Sequence, residues 1–242
     1  MEVVPGLHWV ERIWDTKVYV LFEEERLVVI DAAMPGRAGA VWRYLDSLGY
    51  SPKAVDEIWL THGDIDHMGS VAAIKAGSGA RVVAHRADVP LVEGQADRRL
   101  AGQGAGTGGP LPQARTYEKV FNWAIRRVLR YRPTAVDQAV EDGDELGGWQ
   151  VVHVPGHTPG SVSFYHPARK IAVVGDALNY QRGRLGAPPP LFSYDMAQAY
   201  ASILKIAELD FEVCCFGHGP PLLRDARQQV QAFADSLQPA GE

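Results

Sequence analysis

Three features that mark particular classes of protein are scarce in this sequence of 242 residues. It has only two cysteines, the adjacent pair Cys214 and Cys215, and neighbouring cysteines pair only in a strained disulfide. We therefore expect free thiols, which fit a reducing cytoplasm better than an oxidising exterior. No apolar run approaches the ~18 residues of a membrane span, and the N-terminal stretch lacks the basic and apolar regions of a secretory signal. The sequence thus predicts a cytoplasmic protein without a membrane partner.

Positive charge is in short supply as well. The 24 Lys and Arg residues are outnumbered by 29 Asp and Glu residues, and the net charge is −5. Proteins that bind nucleic acid usually carry a basic excess, because they must neutralise phosphates. We therefore expect no nucleic-acid partner and predict a small-molecule substrate instead.

What the sequence does have is a regular alternation of strand-like and helix-like segments. Apolar, β-branched runs predict strands at 8–13, 17–22, 26–31, 55–60, 81–85, 149–154, 161–166, 170–176 and 212–217. Amphipathic and Ala-rich runs predict helices at 37–48, 68–77, 87–94, 195–209 and 224–237. Strands followed by helices, twice over, predict an α/β protein in which two sheets pack together with helices outside. We expect one domain over residues 1–242.

A loop-helix insertion at about 95–133 interrupts this alternation. Residues 101–116 contain too much Gly and Pro to pack, so we expect a loop there. Residues 117–132 have helical periodicity, with one apolar and one basic face. The basic face is either solvated surface or a contact for a substrate. The apolar face, with Trp123 nearby, is a candidate for covering a cleft or for a contact in a homodimer.

A second long segment without a clear pattern covers residues 177–194, and we expect a loop. Loops of this length in a compact domain often bind ligands. Its polar side chains are either exposed loop residues or contacts for an anionic or polar group of a substrate; they are Tyr180, Arg182, Arg184 and Tyr194.

The densest cluster of reactive side chains is THGDIDH, residues 61–67. It places His62, Asp64, Asp66 and His67 just past a predicted strand, where a tight turn can bring them together. Imidazoles and carboxylates are the side chains that bind Zn²⁺ and similar ions. The alternative is an Asp-rich start of a helix with incidental histidines, since Asp is a preferred N-cap residue.

Three later residues favour the metal interpretation. His157 in VPGHTPGS, Asp176 in VVGDAL and His218 in CCFGHGPP each follow a predicted strand. Strand ends are positions at which side chains from distant segments can meet. Four His and three Asp in such positions predict a site for two metal ions. The remaining histidines are expected to be structural, namely His8, His85, His153 and His166.

These motifs, in this order and spacing, resemble the metal-ligand motifs of the metallo-β-lactamase superfamily, and IDAAMPG (30–36) resembles its first motif. The resemblance implies a four-layer αββα sandwich with a dinuclear metal site at one edge, usually holding two zinc ions. Carried over by position, one ion takes His62, Asp64 and His157, the other takes Asp66, His67 and His218, and Asp176 bridges the two. Asp31 is then expected to brace the turn that carries the ligands.

The same resemblance implies a hydrolase. Two ions ~3.5–4 Å apart can share a water, lower its pKa and supply a bridging hydroxide as the nucleophile. Asp66 is expected to orient this water and to carry a proton to the leaving group. Tyr180 is a candidate for assisting the oxyanion. The substrate classes that remain are esters, lactones, thioesters and phosphoesters.

Asp64 departs from the superfamily pattern, which usually has histidine at this position. With a third carboxylate, the ligands and a hydroxide cancel the +4 charge of two divalent ions, so the water should be acidified less. A carboxylate also favours harder ions, which leaves iron or manganese open in place of zinc. Two alternatives to a two-zinc hydrolase therefore remain: an iron-loaded, diiron oxidoreductase-like member of the same superfamily, and a non-catalytic metal-binding protein.

Overall fold

A computed structural model describes residues 1–14, 16–23, 26–97, 120, 123 and 131–237. The described residues form two compact units. Unit 1 contains those up to Val140, and unit 2 contains those from Glu141 onwards. Each unit is built on its own large sheet, as the alternation of strands and helices predicts. That the whole chain is a single domain stays a prediction.

Unit 1 is built on a seven-stranded sheet. Its strands are β1 (Glu2–Val4), β2 (Leu7–Trp9), β3 (Tyr19–Glu23), β4 (Arg26–Ile30), β5 (Glu57–Trp59), β6 (Arg81–His85) and β7 (Gln138–Val140). They lie side by side in chain order, antiparallel from β1 to β4 and parallel from β4 to β7. Because neighbouring parallel strands run the same way, the C-terminal ends of β4, β5 and β6 meet at one edge of the sheet.

The helical elements of unit 1 that are described over their whole length are four helices and one 3₁₀ turn (Pro52–Ala54). The helices are α1 (Ala38–Ser47), α2 (Ile65–Met68), α3 (Val71–Ser78) and α4 (Val89–Val92). Residues three or four apart share a face of a helix. Val41 and Leu45 of α1 and Ile74 of α3 are accordingly buried in one core with Val29 of β4 and Ile58 of β5.

Unit 2 is built on a five-stranded sheet in the order β14-β11-β10-β9-β8. Its strands are β8 (Glu145–Leu146), β9 (Trp149–His153), β10 (Val162–His166), β11 (Ile171–Gly175) and β14 (Val213–Phe216), and a separate hairpin consists of β12 (Asn179–Gln181) and β13 (Arg184–Gly186). The pair β11 and β14 is parallel, and the other pairs of the sheet are antiparallel. The residues that follow β11 and β14 therefore lie at the same edge.

Two helices of unit 2 carry its core, α5 (Met196–Ala207) and α6 (Ala226–Leu237). Ile203 and Ile206 of α5 and Val230 of α6 are buried with Phe211 and Phe216. The helix α5 begins where the carboxylate of Asp195 accepts hydrogen bonds from the amides of Ala197 and Gln198. This N-cap fixes the start of the helix beside the segment that carries His157, as described below.

Each strand and helix that the sequence predicts within the described residues is present, and most are shorter than predicted. The strands β1, β7 and β8 were not predicted, because two or three residues are too few to show an alternating pattern. The segment 177–194 is not a plain loop, since it contains the β12–β13 hairpin and a 3₁₀ turn (Pro190–Phe192). Arg182 and Gly183 make the hairpin turn with φ of 53° and 77°, a geometry that Asn-Gly signals more clearly than Arg-Gly.

Only part of the predicted loop-helix insertion at about 95–133 falls within the described residues. The predicted loop at 101–116 lies outside the described residues, as does the predicted helix at 117–132 apart from Val120, Trp123 and its last two residues. Val120 and Trp123 are helical and exposed.

Cys214 and Cys215 are buried free thiols. No helix among the described residues has the length and apolar character that crossing a bilayer requires.

A carboxylate of unit 1 gives a test of this packing through pH. Asp137 accepts hydrogen bonds from the Lys75 ammonium on α3 (2.6 Å) and from the Val82 amide in β6 (2.8 Å). Partial burial raises the pKa of Asp137, but these donors outweigh it and hold the pKa below the usual 3.8. The bonds therefore stabilise the fold above pH 3.8, and this contribution is lost as the pH falls through the lowered value.

We expect Asp137→Asn to reduce the free energy of unfolding by about 0.2–1 kcal/mol at pH 6, the range of ion pairs that are partly exposed. The difference from the wild type should shrink as the pH falls below the ordinary Asp range. Urea unfolding followed over this pH series measures it. Lys75→Met should lose a similar amount at pH 6, and a difference that stayed constant down to acid pH would contradict the assignment.

Candidate metal centre

The segment 61–67, which we call the ligand turn, follows β5 and continues into α2. His62, Asp64 and His67 are buried in it, and Asp66 is half-buried. Asp64 occupies the N-cap position of α2 with extended backbone, but its side chain accepts no capping hydrogen bond from that helix. The geometry thus does not support the interpretation of Asp64 as a helix cap, and its carboxylate serves another purpose.

The predicted brace, Asp31, contacts the ligand turn at three points. It follows β4 with φ of 62°, an uncommon backbone for a residue with a side chain, and it is 1% exposed. Its Oδ1 accepts the amide of Thr61 (2.8 Å), and its Oδ2 accepts the hydroxyl of Thr61 (2.8 Å) and lies 2.8 Å from Nδ1 of His67. One buried carboxylate thus ties the end of β4 to the start and the end of the ligand turn.

These contacts select the tautomers of both histidines in the turn. An ionised carboxylate only accepts, so Nδ1 of His67 must carry the ring hydrogen. The hydroxyl of Thr61 donates its hydrogen to Asp31 and therefore accepts from Nδ1 of His62, 2.9 Å away. Both rings are left with a lone pair on Nε2. A histidine that binds metal is usually held in this way, by donating its other ring hydrogen to a carboxylate or a similar acceptor.

The Nε2 atoms of both rings face carboxylates of the same turn. Nε2 of His62 lies 3.9 Å from Oδ2 of Asp64, and Nε2 of His67 lies 3.7 Å from Oδ2 of Asp66. These distances exceed the ~2.7–3.2 Å of a hydrogen bond. They are closer to the ~3.4 Å between two ligands that each lie ~2.1 Å from one tetrahedral ion. The spacing within each pair is therefore compatible with two ligands of one ion.

Thr16 is a further polar side chain at this place. It is buried, and its hydroxyl oxygen lies 3.0 Å from Nε2 of His67. Since Nδ1 carries the ring hydrogen, the hydroxyl donates and Nε2 accepts. The same lone pair is the one with which an imidazole binds metal, so Thr16 marks the ligand side of His67.

In unit 2, His157, Asp176 and His218 form a second group, which we call the Asp176 cluster. Asp176 directly follows β11 and His218 lies just past its parallel neighbour β14, while His157 lies in the turn between β9 and β10. A single oxygen, Oδ2 of Asp176, lies 3.6 Å from Nε2 of His157 and 3.2 Å from Nε2 of His218. A carboxylate flanked by two imidazole nitrogens in this way suits a shared ligand.

The start of α5 holds the turn that carries His157. The amides of Tyr194 and Asp195 donate to the carbonyls of His157 (3.2 Å) and Gly156 (2.9 Å). Gly156 has φ of 130°, and a Cβ at this position would collide with the backbone of Ala199 in α5. Only glycine lets the turn and the helix approach this closely. The glycine beside His157 in the sequence is thus part of the site's construction.

Tyr180, predicted to be catalytic, is tied to His218 through the backbone. Its amide donates to the carbonyl of His218 (3.1 Å), and a Cβ on Gly219 would collide with its carbonyl oxygen. Its ring stacks on Phe216 with centroids 5.8 Å apart. Of the other polar candidates of this segment, Arg182 and Arg184 are exposed on the β12–β13 hairpin, and Tyr194 is half-buried.

Three side chains that contact the ligand turn or lie within it were not predicted from the sequence. Thr61 carried a usable signal, since it directly precedes His62 at the end of a predicted strand. Thr16 lies 51 residues before His67 in the sequence. Asp88, whose carboxylate accepts from the amide of Gly63, lies 25 residues after that glycine. Only the tertiary fold brings these two to the turn, so no local pattern could have indicated them.

Comparison with known families defines the class of protein. Residues 13–218 match the family described as the metallo-beta-lactamase superfamily, and this range contains all seven predicted ligands. The chain therefore belongs to the metallo-β-lactamase superfamily. The fold class predicted from its motifs is thereby confirmed.

Two relatives and one solved structure show the likeness in more detail. A probable metallo-hydrolase of Bacillus subtilis, YflN, is 30% identical over 237 residues, which cover 89% of this chain and 84% of that protein. A hydroxyacylglutathione hydrolase of Ruegeria pomeroyi is 26% identical over 232 residues, which cover 93% of this chain and 68% of that protein. A metallo-beta-lactamase family protein from Thermus thermophilus matches with a TM-score of 0.73 at 21% identity, covering 97% of this chain and 80% of that one. The predicted enzyme class, a metal-dependent hydrolase, is thus confirmed.

The donor atoms of both units fit the ions that this superfamily implies. Each presents imidazole nitrogen and carboxylate oxygen, the donor types that Zn²⁺ and its neighbours among the first-row metals accept. In the ligand turn, the bonds of Asp31 and Thr61 already place the lone pairs of His62 and His67 on the nitrogens that face carboxylates. The residues are therefore suited to hold metal.

Asp31→Asn tests this control of the ring tautomers. An amide in place of the carboxylate can point its NH₂ group at Nδ1 of His67, and two donors then face each other. We expect His67 to move its ring hydrogen to Nε2 in chelator-treated protein, which ¹⁵N NMR of the imidazole detects. Metal affinity should fall by about 10–100-fold, the usual effect of losing a partner behind a ligand.

His153→Gln is the matched control, because this histidine bonds the carbonyl of Pro159 rather than a member of either group. The ring shifts of His67 should remain those of the wild type in this variant. An unchanged His67 tautomer in Asp31→Asn would contradict the role given to Asp31.

Proposed function

We propose that this protein is a hydrolase with two metal ions, bound by seven side chains. One ion takes His62, Asp64 and His157, the other takes Asp66, His67 and His218, and Asp176 is common to both. The observation that carries the proposal is the hydrogen-bond network from Asp31 through Thr61, which leaves Nε2 of both histidines in the ligand turn as lone-pair donors. When bound, two such ions supply Lewis acidity that activates water and polarises the scissile bond.

The remaining steps belong to side chains of the chain. Asp66 keeps part of its carboxylate accessible, with 29% of the side chain exposed, and lies beside Nε2 of His67. We assign it the transfer of a proton to the leaving group, since a partly solvated carboxylate can both take up and release one. Tyr180 is assigned to donate its hydroxyl hydrogen to the oxygen that becomes negative as the bond breaks.

The substrate class that we put first is a thioester. The support is the name of the Ruegeria relative, whose substrate is an acylated glutathione. Carboxylic esters, lactones and phosphoesters follow, because the same pair of acid and oxyanion donor serves each of them. A fold shared with many hydrolases does not choose among these by itself.

A second candidate keeps the site and changes the metal. Asp64 adds a third carboxylate to a set that usually has histidine there, and oxygen-rich sets favour harder ions. Iron would make the protein a diiron, oxidoreductase-like member of the superfamily, and manganese would keep it a hydrolase. Elemental analysis separates these candidates.

We expect native protein, purified without chelator or added metal, to contain about two zinc ions per chain by elemental mass spectrometry. Asp64→Ala should lower the content towards one, because it removes a ligand of one ion only. Asp137→Ala, which changes a carboxylate of the same unit that bonds Lys75, should leave the content unchanged.

Three other metal contents would argue against two zinc ions held by the proposed ligands. Mostly iron in the native protein would support the second candidate. Two zinc ions in both native protein and Asp64→Ala would remove Asp64 from the ligand set. A native protein that binds no ion even on titration would overturn the proposed function.

Tyr180→Phe tests the hydroxyl while keeping the ring that stacks on Phe216. We expect kcat/KM for the best thioester or ester to fall by about 10²-fold, the loss typical of one oxyanion donor. Tyr165→Phe is the control, because its hydroxyl donates to the carbonyl of Asp210 and lies in the structural part of unit 2. Equal activity of Tyr180→Phe and wild type on every hydrolysed substrate would remove Tyr180 from the mechanism.

A further inference from the structure

Asp88 is a buried carboxylate that none of the predicted roles explains. It follows β6 and occupies the N-cap position of α4, with 1% of its surface exposed. Its backbone carbonyl accepts from the amides of Leu91 and Val92, which begins the helix. Its side chain, however, accepts no capping bond from α4. An Asp at an N-cap commonly caps its own helix, so the use of this carboxylate elsewhere calls for a reason.

The side chain of Asp88 instead bonds the ligand turn. Its Oδ2 accepts the amide of Gly63 at 2.7 Å, and the bond is buried. Gly63 lies between His62 and Asp64, two of the proposed ligands. Glycine has no side chain to restrict its backbone, so the orientation of this peptide group depends on what holds it. A charged acceptor is a strong restraint, because hydrogen bonds to an ionised group are roughly twice as strong as neutral ones.

Packing around Gly63 supports the same role. A Cβ at position 63 would lie 3.0 Å from Cβ of Leu91 in α4 and 3.4 Å from Oδ2 of Asp88. The turn is therefore pressed against α4 on the side from which Asp88 approaches. The ligand turn is thus held by two buried carboxylates that follow β4 and β6, the strands on either side of β5, with Asp31 at its ends and Asp88 in the middle.

We propose that Asp88 is a positioning residue for the metal ligands His62 and Asp64, acting through its bond to the amide of Gly63. The inference rests on the proposed function, because it takes His62 and Asp64 to bind an ion. It predicts that loss of the bond weakens one of the two ions selectively, since Gly63 adjoins ligands of that ion only. A carboxylate that merely stabilised the fold would affect both ions alike.

Zinc titration of the chelator-treated protein against a chromophoric chelator measures the two dissociation constants separately. Asp88→Ala should weaken one ion by about 10–100-fold, the usual effect of removing a partner that orients ligands. Asp88→Asn keeps an oxygen that can accept from Gly63 and should recover most of the affinity. Circular dichroism and urea unfolding of each variant without metal report its folding. Should Asp88→Ala not fold, Asp88→Ser, whose hydroxyl can cap α4 but is too short for Gly63, takes its place with the same expectation.

Asp56→Ala is the matched control. Asp56 also accepts one backbone amide in unit 1, that of Leu27 at 2.9 Å, but it lies before β5, away from the ligand turn. The Asp56→Ala variant should have a lower free energy of unfolding than the wild type but bind both ions with wild-type affinity. Wild-type affinity for both ions in Asp88→Ala, or an equal loss for both, would overturn the positioning role and leave the proposed function standing. A wild type that binds no zinc would overturn both.

Discussion

The arrangement of unit 1 depends on the hydrogen bonds that the carboxylate of Asp31 accepts. A buried charge is costly unless donors surround it, and Asp31 receives the amide and hydroxyl of Thr61 and Nδ1 of His67. These donors come from both ends of the ligand turn, so satisfying the charge also shapes the turn. The positive φ of Asp31 is a strained backbone that this network of bonds maintains. Structure and chemistry are coupled here, because the bonds that bury the carboxylate also set the ring tautomers.

Apart from His157, which lies in the turn between the antiparallel strands β9 and β10, both units place their group of His and Asp at the ends of parallel strands. In unit 1 the ends of β4, β5 and β6 carry Asp31, the ligand turn and Asp88 to one edge. In unit 2 the ends of β11 and β14 carry Asp176 and His218 to one edge. Parallel pairing turns residues far apart in sequence into neighbours, and the segments past the strand ends are free to take the tight turns that metal ligands require. Gly156 and Gly219 permit the close backbone approaches that follow.

Much of the fold and of the candidate site could be predicted from the sequence, because the features concerned are local. The ligand turn, His157, Asp176 and His218 each stand directly after an apolar run, and buried strands and amphipathic helices repeat with their own periods. Thr16 and Asp88 could not be found in this way, because they reach the ligand turn only through the tertiary fold. The β12–β13 hairpin escaped for another reason: its turn is made by Arg182 and Gly183, and arginine rarely signals positive φ.

The tautomers in unit 1 also bear on why carboxylates stand beside His62 and His67. With hydrogen on Nδ1, Nε2 of His62 presents a lone pair towards an oxygen of Asp64, so two acceptors face each other there, whereas Nε2 of His67, beside Asp66, also accepts from the hydroxyl of Thr16. At 3.9 and 3.7 Å the atoms are also too far apart for a hydrogen bond from a protonated ring. Such a pairing becomes favourable when a cation is shared between the two acceptors. Asp64 makes a bound cation more favourable than a histidine would, because it adds a full negative charge to a buried turn. That turn already contains Asp66 and is hydrogen-bonded to Asp31 and Asp88. The carboxylate therefore favours tighter retention of a cation over a strongly acidified water.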